Sequence, residues 1–465
     1  MRTSLDSSRC RASPTPATDG ANTASSQAPL RLTRRMGNER SVSVIGLGRV
    51  GLPLALCFAD RGLRVLGVDH DPAVLESIRA GRMPFAEAGT QELLERVAQT
   101  GTLELTERAA DAAQADDIVI TIGTPSFSHV ESDLRQVRAA VDDLLPLLRP
   151  GHALILRSTI APGTTEFVAG YVEKRRGLRV GEDVFVAHAP ERIAAGRFLE
   201  EITTLPCIVG GVDQASTERT AEVFSVFGAP IVTTTPVQAE LAKIWTNILR
   251  YATFALPNLL MMDCESYGAN VFDVIALINH DYPRGGIAMP GMTAGTCLRK
   301  DFAFSEERSN SPGMLLAVSR VNESVPLFLV EGIKRRVGGL PSRKVAVLGL
   351  TFKRDTDDER DSLSPKLIRL LERELADVAV CDPHARSPTQ PLGEAVQDAD
   401  VVIVATNHSE FEHPDALREI LTRATDDCLL VDPWNCLGTG QVFSYASESA
   451  TLLGVAVRGD LRELR

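Results

Sequence analysis

Cys297 stands in the stretch PGMTAGTCLRKDF, with small residues before it and Arg299, Lys300 and Asp301 directly after. A solitary cysteine is usually a small core hydrophobe. Polar and cationic neighbours favour instead the thiolate, the form that attacks a carbonyl carbon. The other seven cysteines, at 10, 57, 207, 264, 381, 428 and 436, occupy apolar or loop contexts without such a cluster. They show no C-x-x-C pair and no Cys/His spacing that builds a zinc site, so reduced cytoplasmic thiols and no metal are expected. Lys243 and Asn247 are four residues apart in a helical run and therefore share a face. A solvated face would account for them equally well. Their neighbours Leu241, Ala242, Ile244, Trp245 and Ile248 point instead to a mostly buried helix, where an unpaired lysine is costly and implies a purpose.

A second constellation is Gly46-Leu47-Gly48-Arg49-Val50-Gly51, set between the strand-like SVSVI and the apolar helix LPLALCFAD. G-x-G-x-x-G alone is weak, but its context makes it specific. The first glycine permits the tight turn, the second lets backbone approach a pyrophosphate, and the third allows close helix packing with the helix N-terminus aimed at the phosphates. Asp69 follows at the end of the next strand, where a carboxylate accepts from ribose hydroxyls and repels a 2'-phosphate, so NAD is expected rather than NADP. Thr124, before Pro125, and the pair Ser158-Thr159 end further strand-like runs, at the sheet edge where open α/β folds bind ligands. Helix capping would explain any one of them as well.

These residues need a scaffold of more than one core, and 465 residues supply it. Hydrophobic residues at 44% and charged residues at 24% are globular values, and a net charge of -12 argues against a nucleic-acid surface while leaving room for a small phosphate ligand. The apolar stretch from Ser41 to Asp60 contains Arg49 and three glycines and reads as strand, loop and helix, so no membrane span is expected. Residues 1–40 carry seven arginines among Ser, Thr, Ala and Pro without an apolar signal core; a disordered tail, or an upstream start ahead of Met36, is expected rather than a transit peptide.

From Ser41 the runs SVSVIGLG, RVLGVDHD, ADDIVITIGTP, HALILRST, DVFVAHAPER and PCIVGG alternate with amphipathic stretches, implying a parallel sheet covered on both faces. From Val237 to about His280 the period becomes helical, predicting one long helix kinked at Pro257. After Pro341 the alternation resumes with KVAVLGLTF, DVAVCDP, ADVVIVAT and CLLVDPW. The expected fold is α/β, two Rossmann-like doubly wound domains joined by a long central helix and helical segment. The divisions fall at 1–40 for the tail, 41–236, 237–325 and 326–465.

With the motifs GLGRVGLPLA, RSTIAPGTT, APERIAAG, AELAKIWTN, GTCLRKD and GLTFKRDTDDERDS in that order, the chain from Ser41 to beyond Trp434 resembles the UDP-glucose and UDP-N-acetylmannosamine dehydrogenase family. The resemblance implies Cys297 as nucleophile, Lys243 and Asn247 as stabilisers of a developing oxyanion, and Asp301 as the carboxylate that helps activate water. It implies that Thr159 and Glu191 organise water or acid-base chemistry beside the hexose. For cofactor contacts it adds Lys300, Thr124, Thr159 and Arg360 to the glycine loop and Asp69. For substrate it gives Lys353 at the UDP moiety, Gly291, and Arg284 reaching a neighbouring subunit's sugar site, hence a homodimer. A cytoplasmic enzyme making uronic acids for polysaccharides follows from the same likeness.

Alcohol to acid is a four-electron change, so the implied route holds the aldehyde on the thiolate as a thiohemiacetal, oxidises it to a thioester and hydrolyses that. Relatives carry a more glycine-rich loop before the cysteine, whereas Met292, Thr293, Ala294 and Thr296 surround Gly295 here, side chains expected to narrow the sugar pocket or alter loop motion. APERIAAG resembles relatives acting on N-acetylated sugars. The competing readings are UDP-glucose oxidation, a two-electron hydroxyacid-type dehydrogenase, which needs neither the cysteine nor a second αβ domain, and a noncatalytic nucleotide-sugar binder.

Overall fold

The computed structural model describes residues 40–124, 135–306 and 313–448; residues 1–39 of the expected tail, Cys10 among them, Pro125 and residues 449–465 lie outside them. The short Val/Ile/Leu runs form eight strands: β1 Ser41–Ile45, β2 Arg64–Val68, β3 Leu103–Thr106, β4 Asp117–Ile120, β5 Ala153–Leu156, β6 Phe185–His188, β7 Cys207–Gly211 and β8 Ile231–Thr234. They line up as β3-β2-β1-β4-β5-β6-β7-β8. β1, β4 and β5 are buried on both faces because helices cover both sides, so their sequences run apolar without alternation. One face packs Val119, Ala153 and Ile155 against Leu52, Leu56 and Phe58 of the first helix, Gly51–Asp60, and the other packs Ile120 and Leu156 against Val141, Val168 and Val172.

The sheet is parallel except that β7 runs antiparallel to β6. An apolar run looks the same read in either direction, which is why the expected all-parallel sheet missed this reversal.

Thr235 opens the long helix Pro236–Tyr267 with a capping box, its hydroxyl accepting from Gln238 N–H (3.4 Å) while Gln238 Oε1 accepts from Thr235 N–H (3.3 Å). The helix is continuous through Pro257. It does not run to His280. Gly268, at φ 68°, ends it, and Asn270 caps a separate helix, Val271–Asn279, by accepting from Phe272 N–H at 3.1 Å.

A returning helix, Met314–Val337, leads into the second sheet of β9 Lys344–Leu348, β10 Asp377–Cys381, β11 Val401–Val404, β12 Leu429–Val431 and β13 Phe443–Tyr445, ordered β10-β9-β11-β12-β13. The last strand is antiparallel, and its three residues were too short a run to stand out in the sequence. The division drawn at 325/326 falls inside the returning helix. Met261, Val325, Leu329 and Ile333 share one apolar cluster with Val345, Val347, Val401 and Leu429, so no gap in the core separates helices from sheet there.

Candidate active site

The glycine loop is built as its spacing implies. Gly46 turns at φ 95°, and a Cβ on Gly51 would lie 1.8 Å from Gly46 O, so only glycine lets the first helix start this close to β1. A Cβ on Gly48 would meet nothing within 4 Å, leaving open space over the helix N-terminus for a phosphate. Asp69 directly follows β2 with its carboxylate fixed, Oδ2 accepting from Leu47 N–H at 2.7 Å and Oδ1 from Asp71 N–H at 3.0 Å. The loop and acid fit a dinucleotide. Val50 precedes the first helix as its cap residue. Arg49 points to the C-terminal domain instead, pairing with Asp357 (2.6 Å) and Asp358 (3.2 Å).

Cys297 is the second residue of the helix Thr296–Glu306 and is exposed, whereas five other described cysteines are buried and Cys207 is half-buried. That helix packs Leu298 and Phe302 against Ile244, Ile248 and Tyr251 of the long helix. The packing brings its polar face to Lys243 and Asn247, both buried on one side of the long helix. Asn247 Nδ2 donates to Asp301 Oδ2 at 2.5 Å. Asp301 is fully buried, and burial raises its carboxyl pKa, with Lys243, Lys300 and the Asn247 amide pulling the other way. The opposite side of the long helix is not buried: Leu241, Trp245, Leu249, Leu256 and Leu259 are exposed.

The charged residues beside Cys297 turn away from one another. Arg299 pairs with Glu323 (2.6 Å) and Asp361 (3.4 Å), and Lys300 Nζ donates to Thr124 O and Oγ1, both at 2.9 Å. Thr124 in turn donates to Thr159 O at 2.8 Å, so these strand-end residues meet the cysteine helix through Lys300. Arg360 is a cation that interacts with Cys297 through charge. The Asp358 carboxylate holds its guanidinium pKa up, and Cys297 is among the groups that act on it.

Gly291 N–H donates to Asn258 Oδ1 at 2.8 Å, and a Cβ there would strike the Trp434 ring at 2.3 Å. Met292 and Ala294 are buried in the apolar cluster with Met261 and Leu329, so these larger residues fill core rather than narrow a pocket. Lys353 reaches Ala195 O (2.5 Å) in the APERIAAG segment. Its pKa is lowered by burial and by Arg250, which lies two helical turns beyond Lys243. Arg250 was missed in the sequence although the i, i+4, i+7 spacing from Lys243 through Asn247 signals it.

Two further expected residues make contacts of their own. Glu191 is buried with Oε2 on Arg157 (2.5 Å) and Oε1 on Ile193 N–H (2.8 Å). Arg284 is exposed over the Tyr282 ring. Glu240, unremarked in the sequence, accepts from Gly163 N–H (2.6 Å), Thr165 N–H (2.9 Å) and the Thr165 hydroxyl (2.6 Å), pinning the long helix to the start of the helix Thr164–Arg176. Ligand atoms of Asp355, His384, His408 and Glu410 lie within 4.8 Å of one another. His408 Nδ1 accepts from Asp355 N–H (2.9 Å), so Nε2 is the nitrogen that donates to Asp382 (3.1 Å), leaving neither ring lone pair for a cation.

A dinucleotide loop, a cysteine at a helix start and a buried Lys/Asn/Asp set, gathered between two doubly wound sheets, define an NAD-linked dehydrogenase with a second nucleotide domain. Residues 40–228 match the NAD binding domain of the UDP-glucose/GDP-mannose dehydrogenase family, 237–324 its central domain and 346–439 its UDP binding domain. UDP-N-acetyl-D-mannosamine dehydrogenase of Pyrococcus horikoshii is 33% identical over 378 residues, 80% of this chain and 90% of that one. The solved structure of UDP-D-ManNAc dehydrogenase from the same organism matches with a TM-score of 0.79 and 31% identity over 85% of this chain and 96% of that chain. A UDP-glucose dehydrogenase from Pyrobaculum islandicum matches at 0.76 and 32% over 86% and 96%. The chain belongs to the UDP-glucose/GDP-mannose dehydrogenase family, and its cofactor is NAD.

Proposed function

We propose that this enzyme oxidises the C6 alcohol of a UDP-N-acetylhexosamine, UDP-N-acetylmannosamine foremost, to the uronic acid through a thiohemiacetal and a thioester on Cys297. The observation that carries the reading is the Asn247–Asp301 hydrogen bond, which locks the helix bearing Lys243 to the helix bearing Cys297. NAD, held at the Gly46–Gly51 loop and Asp69, supplies the hydride acceptor for each of the two oxidations.

The chain's own groups do the rest. The Lys243 ammonium and the Asn247 amide stabilise negative charge on the C6 oxygen, a contribution of about 3 kcal/mol per well-placed donor. Cys297 adds to the aldehyde from a helix start whose free N–H groups favour negative charge. Asp301, its carboxyl pKa raised by burial, exchanges a proton with the water that cleaves the thioester. Lys353 and Arg250 present cations to the diphosphate. Lys300 ties the cofactor side, through Thr124 and Thr159, to the cysteine helix. Glu191 holds its loop through Arg157 and Ile193 N–H.

A homodimer accords with the apolar stripe Leu241, Trp245, Leu249, Leu256 and Leu259, and would bring Arg284 to a partner's sugar. Sedimentation of a Trp245→Glu, Leu249→Glu variant should give monomer. No helix among the described residues is long and apolar enough to cross a membrane, and the seven described cysteines are free, in keeping with a cytoplasmic enzyme.

A panel of UDP-sugars, assayed for NADH and product mass, tests the reading. The expected result is highest kcat/KM with UDP-N-acetylmannosamine, giving the uronic acid. Preference for UDP-glucose overturns the sugar, a released keto-sugar overturns the four-electron route, and binding without turnover makes the chain a binder.

A further inference from the structure

Glu87 lies half-buried on the loop between the helices Pro72–Arg79 and Thr90–Thr100. Its carboxylate reaches out of that loop, Oε2 accepting from Gly196 N–H at 2.9 Å and Oε1 from Phe198 N–H at 3.0 Å. Gly196 ends the APERIAAG segment with φ 84°, and Phe198 opens the helix Phe198–Thr204.

Ala195 C=O and Gly196 N–H are the two ends of one peptide group, which is planar, so the direction of one fixes that of the other. The N–H end meets the Glu87 carboxylate, and the C=O end accepts from Lys353 Nζ at 2.5 Å. An acid and an ammonium thus grip a single peptide from opposite ends, each polarising the bond the other makes. Burial and Arg250 lower the Lys353 pKa while Glu87 and Glu201 act to raise it, so the acid reaches the ammonium through charge as well. Glu201 serves the same turn, accepting from Ala194 N–H at 2.8 Å.

The loop bearing Glu87 is tied to the domain bearing Lys353. Asp357 Oδ2 accepts from Ala86 N–H at 3.0 Å and from Arg386 Nη2 at 2.6 Å, and the same Nη2 donates to Pro84 O at 2.7 Å. Asp357 stands four residues beyond Lys353. The contacts therefore close a circuit from Lys353 through the Ala195–Gly196 peptide, Glu87 and Ala86 to Asp357 and back along the chain.

We propose that Glu87 is a positioning residue for the UDP-sugar: it fixes the Ala195–Gly196 peptide, whose carbonyl takes one N–H of the Lys353 ammonium and so aims the other two at the diphosphate. The inference rests on the place given to Lys353 at that diphosphate. It asks no substrate contact of Glu87 itself.

The test is calorimetric titration of UDP and, separately, of NAD into the full-length wild type, Glu87→Ala, Glu87→Gln, Lys353→Ala and the double alanine variant, with melting temperatures alongside. UDP carries the diphosphate whichever sugar the enzyme prefers, so the choice of sugar does not enter. Glu87→Ala should weaken UDP about tenfold, the scale of one charge-assisted hydrogen bond, and leave NAD within about twofold. Glu87→Gln, which keeps an acceptor oxygen, should hold UDP within about threefold of wild type. In the Lys353→Ala background Glu87→Ala should add less than about twofold, the two residues acting as one unit.

Wild-type UDP affinity in Glu87→Ala, with Lys353→Ala weakened, overturns the inference alone. Equal weakening of UDP and NAD with a lowered melting temperature overturns it in favour of a helix cap, and equal losses in Glu87→Ala and Glu87→Gln overturn it in favour of charge alone. Fully additive losses in the double variant overturn it by separating Glu87 from Lys353. Wild-type UDP affinity in Lys353→Ala removes Lys353 from the diphosphate and the inference with it.

Discussion

Asn247 and Asp301 stand on different helices, 54 residues apart in sequence, and meet through a single 2.5 Å hydrogen bond in the protein interior. The other Asp301 oxygen, Oδ1, has no hydrogen-bond partner among the described residues. Removing the amide therefore leaves a buried carboxyl with neither oxygen paired. Asn247→Ala should destabilise the enzyme by about 1–3 kcal/mol, the cost of orphaning a buried polar group. It should also depress kcat, since the long helix and the cysteine helix lose their polar lock. Urea unfolding with parallel kcat measurements checks both; a stability unchanged within 0.5 kcal/mol, on the order of a surface substitution, would show that the bond contributes nothing.

Arg49 joins the glycine loop to Asp357 and Asp358, and Asp358 also pairs with Arg360, a cation that interacts with Cys297 through charge. One carboxylate thus touches the cofactor loop and the cysteine's surroundings. Arg49→Ala and Asp358→Asn should each raise the NAD KM, and a double-mutant cycle should give a coupling of about 1 kcal/mol, the range for partly exposed ion pairs. The coupling should shrink as salt rises. Additive effects at low salt would mean that the pair does not organise the loop.

The sequence made legible what depends on local pattern. Gly46 to Gly51 and Asp69 could be read because their spacing is set within one strand-turn-helix unit, and Lys243 and Asn247 because a helix fixes their common face. The end of the long helix at Gly268, followed by the Asn270 cap, was equally local and readable as a stop and a start. What the sequence hid depends on partners far along the chain. Arg157 is 34 residues from Glu191, and only the fold shows that the two pair. Arg49 meets carboxylates more than 300 residues away. The adjacency of Arg299 and Lys300 to Cys297 misled, because consecutive helix residues point in different directions.

Two histidines should make the fold acid-sensitive. Burial pushes His188 down to about 3 and His152 down to about 4, from an ordinary value near 6.5. Between about pH 6.5 and 4 the unfolded chain binds protons at these sites and the folded chain does not, so stability rises with pH there, by about 1.4 kcal/mol per pH unit for each fully differing proton. Asp117 and Asp432, raised by burial to about 6, act in the opposite sense, since the unfolded chain ionises them first and stability from them falls as pH rises. The difference between wild type and a His152→Asn, His188→Gln variant isolates the histidines. Their unfolding free energies, compared at pH 7 and pH 5, should diverge, with the wild type losing more on acidification. Parallel losses would place both imidazoles in solvent.

Cys297 should carry the reaction covalently. It opens its helix and is exposed, while Lys243, Asn247 and Asp301 are buried beside it, an arrangement that lets substrate reach sulfur and places donors at the oxygen of the same carbon. Alcohol to acid removes four electrons and one nicotinamide accepts two, so wild type should form two NADH for each uronic acid, with the aldehyde retained between the steps. The thiolate retains it, offers a tetrahedral carbon for the second oxidation and then leaves readily from the thioester. Cys297→Ser should stall after acylation, because the serine ester has a poorer leaving group. Intact-protein mass of Cys297→Ser incubated with NAD and the preferred UDP-sugar should show a persistent adduct of the uronyl group, and Cys297→Ala should show none. Uronic acid formed by Cys297→Ala at the wild-type rate would remove sulfur from the mechanism, and one NADH with a free keto-sugar from wild type would replace it with a two-electron oxidation.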